Sequence, residues 1–182
     1  MYFEKPGTAN TEATLAAAHD RAQTLGLSEL VIASTSGDTA YKALERFSGF
    51  AITAATYHAG FKEPFKSVMK PEVRRDLEKK GVRVISATHA LSGVERSIAK
   101  KFGGCPPALL MAATLKLFGQ GVKVAVEVSI MATDAGHLSG EDIIAIGGSS
   151  KGADAALVVK PAGQSNLFDL CVREVICKPA FF

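Results

Sequence analysis

Apolar residues recur along this chain in short runs set between amphipathic stretches. From Thr11 to Leu25 the apolar positions Leu15, Ala18, Ala22 and Leu25 fall three or four apart, the spacing of one helix face. Asn10 or Thr11 supplies the cap and Gly26 the stop. Strand-like runs follow at Leu30–Ala33, Phe50–Thr56, Val82–Ala87, Val122–Met131, Ile143–Ile146, Ala155–Lys160 and Leu170–Cys177. Helical segments at about Thr39–Phe47, Pro71–Lys80, Val94–Phe102 and Pro107–Phe118 separate the earlier runs. Alternation of strand and helix predicts a parallel sheet with right-handed crossovers. The last three runs have no helix between them, which predicts an antiparallel tail. The pattern is therefore α/β, with a mixed and mostly parallel sheet.

The segment from Pro107 departs from amphipathicity, because Ala108 to Phe118 leaves almost no polar face. A helix of that kind is buried all round, either under its neighbours or against the same helix of another subunit. That second possibility makes a homo-oligomer the expectation. Composition adds bounds. The 182 residues fit one domain, expected to span 1–182, and 47% hydrophobic with 21% charged content is that of a globular chain. A net charge of +3, with basic residues spread along the chain, argues against a nucleic-acid partner. The longest apolar stretch is too short for a bilayer and the N-terminus lacks the regions of a signal peptide, so no membrane partner and a cytoplasmic location are expected. Cys105, Cys171 and Cys177 have no CxxC spacing and read as small buried hydrophobes.

Candidate chemistry gathers at the ends of the strand-like runs. Ser34-Thr35-Ser36-Gly37-Asp38-Thr39 follows one run and opens a helical pattern, while Gly147-Gly148-Ser149-Ser150-Lys151-Gly152 follows another. Turns of this kind aim backbone N–H groups, hydroxyls and the positive end of a helix at one point, which suits a phosphate; each is also an ordinary capping sequence. Together they fit the two ends of one phosphorylated ligand. His58, His89 and His137 each fall just after a strand-like run, placing them on the same ligand-binding crest. The histidines lack the local spacing of a metal site, so no metal is expected. Gly-x-Ser-x-Gly, Gly-x-Gly-x-x-Gly and the Walker pattern are absent.

The turn at Ser34, Ser36, Gly37 and Thr39, with Thr35 at a variable position, resembles the effector-phosphate loop of the pyruvate kinase C-terminal domain. Asp142 to Asp154 followed by Ala155–Lys160 is similar to that domain's penultimate strand, effector loop and final antiparallel strand. Thr56-Tyr57-His58-Ala59-Gly60-Phe61, His89 to Ser97 with Ser92 and Gly93, and Glu174 to Pro179 extend the likeness to a family of free-standing proteins related to that domain. The resemblance implies a three-layer α/β/α fold with a mixed sheet in 3-2-1-4-5 order and the last core strand antiparallel. It also implies that the crest holds flavin mononucleotide. It does not imply pyruvate kinase activity, which belongs to a separate barrel of roughly 250 residues. Asp38 departs from the pattern, since a carboxylate suits the helix dipole but repels a phosphate. The leading expectation is a binder of a phosphorylated small molecule. An enzyme of flavin redox or sugar-phosphate chemistry using His58 or His89, and a regulatory or assembly module, are the alternatives.

Overall fold

The computed structural model describes residues 1–181. Its sheet comprises β1 (Tyr2–Phe3), β2 (Glu29–Ala33), β3 (Ala51–Thr56), β4 (Arg83–Ser86), β5 (Ile143–Gly147), β6 (Ala155–Lys160) and β7 (Cys171–Pro179), in the order β1-β7-β6-β5-β2-β3-β4. β2 lies parallel to β3 and β5, and β3 parallel to β4, while β5–β6 and β6–β7 are antiparallel. Read from β4 to β6, this is the 3-2-1-4-5 arrangement, extended by β7 and by the short parallel strand β1.

Alternation along the strands builds two cores, one on each side of the sheet. Leu30, Ile32, Ile144 and Ile146 face α1 (Thr11–Leu25), α2 (Asp38–Arg46) and α3 (Pro71–Lys79). Val31, Ile143, Ala145 and Leu157 face α6 (Gln120–Asp134), over which α5 (Pro107–Lys116) is laid, with α4 (Glu95–Phe102) beside it. The layers are thus α/β/α. In α1, Leu15, Ala18 and Ala22 are buried as the spacing predicts, whereas Leu25 lies at the exposed end beside the left-handed cap Gly26. No helix among the described residues is long and apolar enough to cross a membrane.

Three expectations are corrected. The run Val122–Met131 is not a strand but the body of α6, and the helix buries 11 of its 15 residues. Enclosed between the sheet and α5, it exposes almost none of its length to solvent, and its alternate valines imitate a strand; burial then overrides the β preference of branched residues. What fits it to this place is small size. A Cβ on Gly147 would stand 2.1 Å from the Gly121 carbonyl oxygen, and one on Gly121 only 2.8 Å from the Ala155 Cβ, so helix backbone rests directly on the sheet. Because α6 takes the inner position, the Pro107 helix is not buried all round: Ala112 is its buried residue, while Leu110 together with Leu117 and Phe118 just beyond it are exposed. Finally, Cys177 is buried but Cys105 and Cys171 are exposed.

Candidate functional site

The carboxyl ends of β2, β3, β4 and β5 lie side by side, so the loops that follow them form one crest. The first of these loops is shaped from behind by Ser34 and Gly37. Buried Ser34 accepts the Ala40 N–H on its Oγ at 3.1 Å, capping the entry to α2. Gly37 takes φ 107, and a Cβ there would meet Val73 Cγ1 at 2.5 Å, so the turn requires glycine on both counts. Thr35, held through its carbonyl by the Thr56 hydroxyl at 2.8 Å, Ser36, Asp38 and Thr39 then face a cleft of about 560 Å³. Ser36 Oγ donates to Asp38 Oδ2 at 2.8 Å.

The second turn closes the same cleft from β5. Gly147 ends the strand beneath α6 and does not face the opening, whereas Gly148, Ser149, Ser150 and Lys151 do. Asp154, fully buried, gathers the Ser149 N–H at 3.2 Å and the Gly7 N–H at 2.9 Å on its Oδ2. Thr11 Oγ1 accepts the Ala153 N–H at 3.1 Å, and the Thr8 hydroxyl donates to the Lys151 carbonyl at 3.2 Å. Residues at the start of the chain thus brace the turn, and Thr8 and Thr11 reach the cleft wall themselves.

Aromatic rings occupy the third side. Tyr57 and Phe61 lie 4.1 Å apart at 31°, and the His89 ring meets them edge-on at 5.4 and 4.9 Å. These three line the cleft. His58 stands behind them, 5.5 Å from His89, with its Nδ1–H directed at the Ala59 carbonyl. Ser92 and Gly93 are not part of the wall; their N–H groups return to the His89 carbonyl and form the turn that presents that histidine. His137 follows α6 and bonds through its carbonyl to Arg83 at the start of β4, which places it at the opposite end of the sheet and corrects its expected position on the crest.

The floor comes from α6. Lys123 and Glu127, one helical turn apart, are an ion pair buried to 6% and 5% exposure, and both line the cleft. Glu127 Oε1 also accepts the Leu91 N–H at 3.0 Å. Five cationic side chains, Lys42, Lys62, Arg96, Lys123 and Lys151, border the cleft against two carboxylates, Asp38 and Glu127. Burial pushes His89 below the ordinary imidazole value; Glu127 opposes the shift, and Lys123, His58 and Arg96 add to it. Among the described residues there is no group of three or more His, Cys, Asp and Glu placed to hold a metal ion.

The sequence reading missed Lys123, Arg96, Lys42, Thr8 and Thr11 as site residues. A four-residue spacing of Lys and Glu inside an otherwise apolar run was the available signal for the floor. Nothing local marks Thr8 and Thr11, which reach the site through contacts more than 140 residues away in sequence.

Among solved structures, Cryptosporidium parvum pyruvate kinase in complex with ADP aligns with 20% identity over 86% of this chain and 24% of that one, at a TM-score of 0.45. A second crystal structure of a pyruvate kinase from Cryptosporidium parvum aligns with 18% identity over 86% and 23%, at 0.44. The chain spans about a quarter of the length of these enzymes. The family model described as pyruvate kinase, alpha/beta domain matches residues 12–159, which run from the second residue of α1 to the last but one of β6 and take in both glycine-rich turns. By that match over most of its length, the chain belongs to the pyruvate kinase alpha/beta domain family.

Proposed function

We propose that this protein binds a phosphorylated small molecule in the crest cleft, with flavin mononucleotide as the leading ligand. The observation that carries the reading is convergence: Thr35, Ser36 and Thr39 of one turn and Ser149, Ser150 and Lys151 of the other line a single cleft. The first turn of α2 leaves backbone N–H groups without helical partners, and the positive helix end adds to the cationic balance around the opening. Asp38 works against an anion, but the surrounding cations outnumber the carboxylates.

The residues present fit a flavin nucleotide on two grounds. Ser149 lines the cleft with a buried Oγ that has no hydrogen-bond partner among the described residues, which suits a phosphate oxygen. Tyr57, Phe61 and His89 offer ring surface for an aromatic heterocycle. The volume lies within the roughly 300–1,000 Å³ of small-molecule sites. Bound flavin supplies one- and two-electron redox chemistry; the chain's own residues hold its ends and exclude water. The reading assigns ligand binding, not pyruvate kinase catalysis, to these residues, in a cytoplasmic protein.

The absorption spectrum of freshly purified protein, with mass spectrometry of anything released on denaturation, tests the ligand. A flavin band released as the mononucleotide is expected. Replacing Ser36→Ala together with Thr39→Ala lowers affinity by about tenfold or more, because hydrogen bonds to a charged group are lost; unchanged affinity overturns the phosphate assignment.

A second reading, acid–base chemistry on a sugar phosphate, is favoured by His89 alone: it lines the cleft and its depressed pKa keeps it neutral near pH 7, ready to accept a proton. Turnover of a sugar phosphate that disappears in His89→Asn selects this reading.

A further inference from the structure

We propose that Lys123, held by Glu127, is an inner subsite of the cleft, where its ammonium takes a carbonyl or anionic oxygen of the ligand at a distance from the phosphate. The inference rests on the phosphate reading of the rim and extends it by requiring an acceptor at a second place in the same ligand. The ion pair lies in a helix whose other buried positions are almost all Val, Ala, Ile, Met or Gly. Packing does not call for it, since hydrophobic side chains of similar volume hold such a position as well or better. Yet both charged residues reach the cleft wall.

Glu127 is engaged within the protein at both oxygens, by Lys123 and by the Leu91 N–H. It acts as an anchor, fixing the ammonium from one side and the His89 loop from the other. An ammonium has three N–H donors, and among the described residues Lys123 donates to Glu127, so donor capacity remains for a ligand oxygen. The charges on other elements that bear on Lys123 are cationic, Lys116 from α5 and Arg96 from α4, and Lys123 in turn bears on His89 in the loop after β4. Burial, Lys116 and Arg96 push the Lys123 pKa below the ordinary lysine range, while Glu127 pulls it up. An electron-rich oxygen arriving there meets a desolvated cation, where a charge-assisted hydrogen bond is strongest. Flavin mononucleotide and phosphorylated carbonyl compounds both carry such an oxygen together with a phosphate.

The test compares inorganic phosphate, flavin mononucleotide and glyceraldehyde 3-phosphate by calorimetric titration. The variants are Ser36→Ala with Thr39→Ala at the rim, and Lys123→Met with Glu127→Gln at the floor. The floor pair removes both charges without stranding a buried carboxylate, and the glutamine oxygen still accepts from Leu91. Expected is a loss of roughly 10- to 100-fold for whichever of the two organic ligands binds, with phosphate affinity unchanged. The wild-type affinity also declines with rising pH below the ordinary lysine range, and the floor variant lacks that step. Unchanged organic-ligand affinity in the floor variant, or equal losses for phosphate and organic ligand, overturns the inference. Wild-type protein that binds phosphate as tightly as either organic ligand overturns the inner subsite and leaves the phosphate reading standing. Protein that binds none of the three overturns both.

Discussion

Gly147 illustrates how one missing side chain positions a site. Its hydrogen faces the Gly121 carbonyl and the Ala125 N–H, where a Cβ would stand at 2.1 and 2.7 Å. Both contacts are backbone, so neither yields by a rotamer change. Gly147→Ala therefore costs about 3 kcal/mol or more in a denaturant titration, at the upper end of overpacking effects, and displaces the turn that begins at Gly148. His89 makes the second prediction at this scale. Its folded pKa lies below the unfolded value near 6.5, chiefly from burial, so between the two values the unfolded chain binds more protons. The stability this gives is present above pH 6.5 and is lost as pH falls through the folded pKa. The melting temperature is expected to drop on acidification from pH 7 towards 5, and His89→Asn to flatten part of that drop. An unaltered slope in the variant places the titration elsewhere.

Elements were legible to the degree that their two faces differ. α1, α2 and α3 each meet the sheet on one side and water on the other, so their boundaries fall within a residue or two of the sequence reading. β2, β5 and β6 read as short apolar runs because they are buried on both faces. α6 was illegible for a related reason: a helix buried along most of its length loses its period, and Val122, Val124, Val126 and Val128 made the alternation of a strand. That error hid the floor, since Lys123 and Glu127 gain their meaning as neighbours on one helical turn facing the cleft. The turns at 34–39 and 147–152 survived it, because glycine and hydroxyl chemistry is local. α5, displaced outward, leaves Leu110 exposed, and Leu117 and Phe118 just beyond it are exposed as well. We propose that this face mediates self-association. Leu117→Lys with Phe118→Ser is then expected to lower the mass measured in solution by light scattering while leaving stability within about 1 kcal/mol; an unchanged mass in both proteins removes this face as the interface.

At the scale of the whole molecule, the family match from 12 to 159 leaves β1 and β7 outside it, and these two pair with each other. The Met1 amino group donates to the Ile176 carbonyl at 2.7 Å, and a few residues later Gly7 and Thr8 reach the second turn. The beginning of the chain therefore links the sheet edge to the cleft rim. The cleft itself is assembled from distant parts of the sequence. Its two glycine-rich turns are more than a hundred residues apart, brought together only because β5 pairs with β2 in the middle of the sheet. Neither half of the chain can form a rudimentary version of the pocket. A ligand gripping both turns, as proposed, binds only forms in which the central pairing is intact, and it raises the free energy of opening the sheet's centre by RT ln(1 + [L]/Kd). Occupancy is then a report on the integrity of the entire domain, and amide exchange in β2 and β5 slows with ligand concentration as though the protein had been cooled.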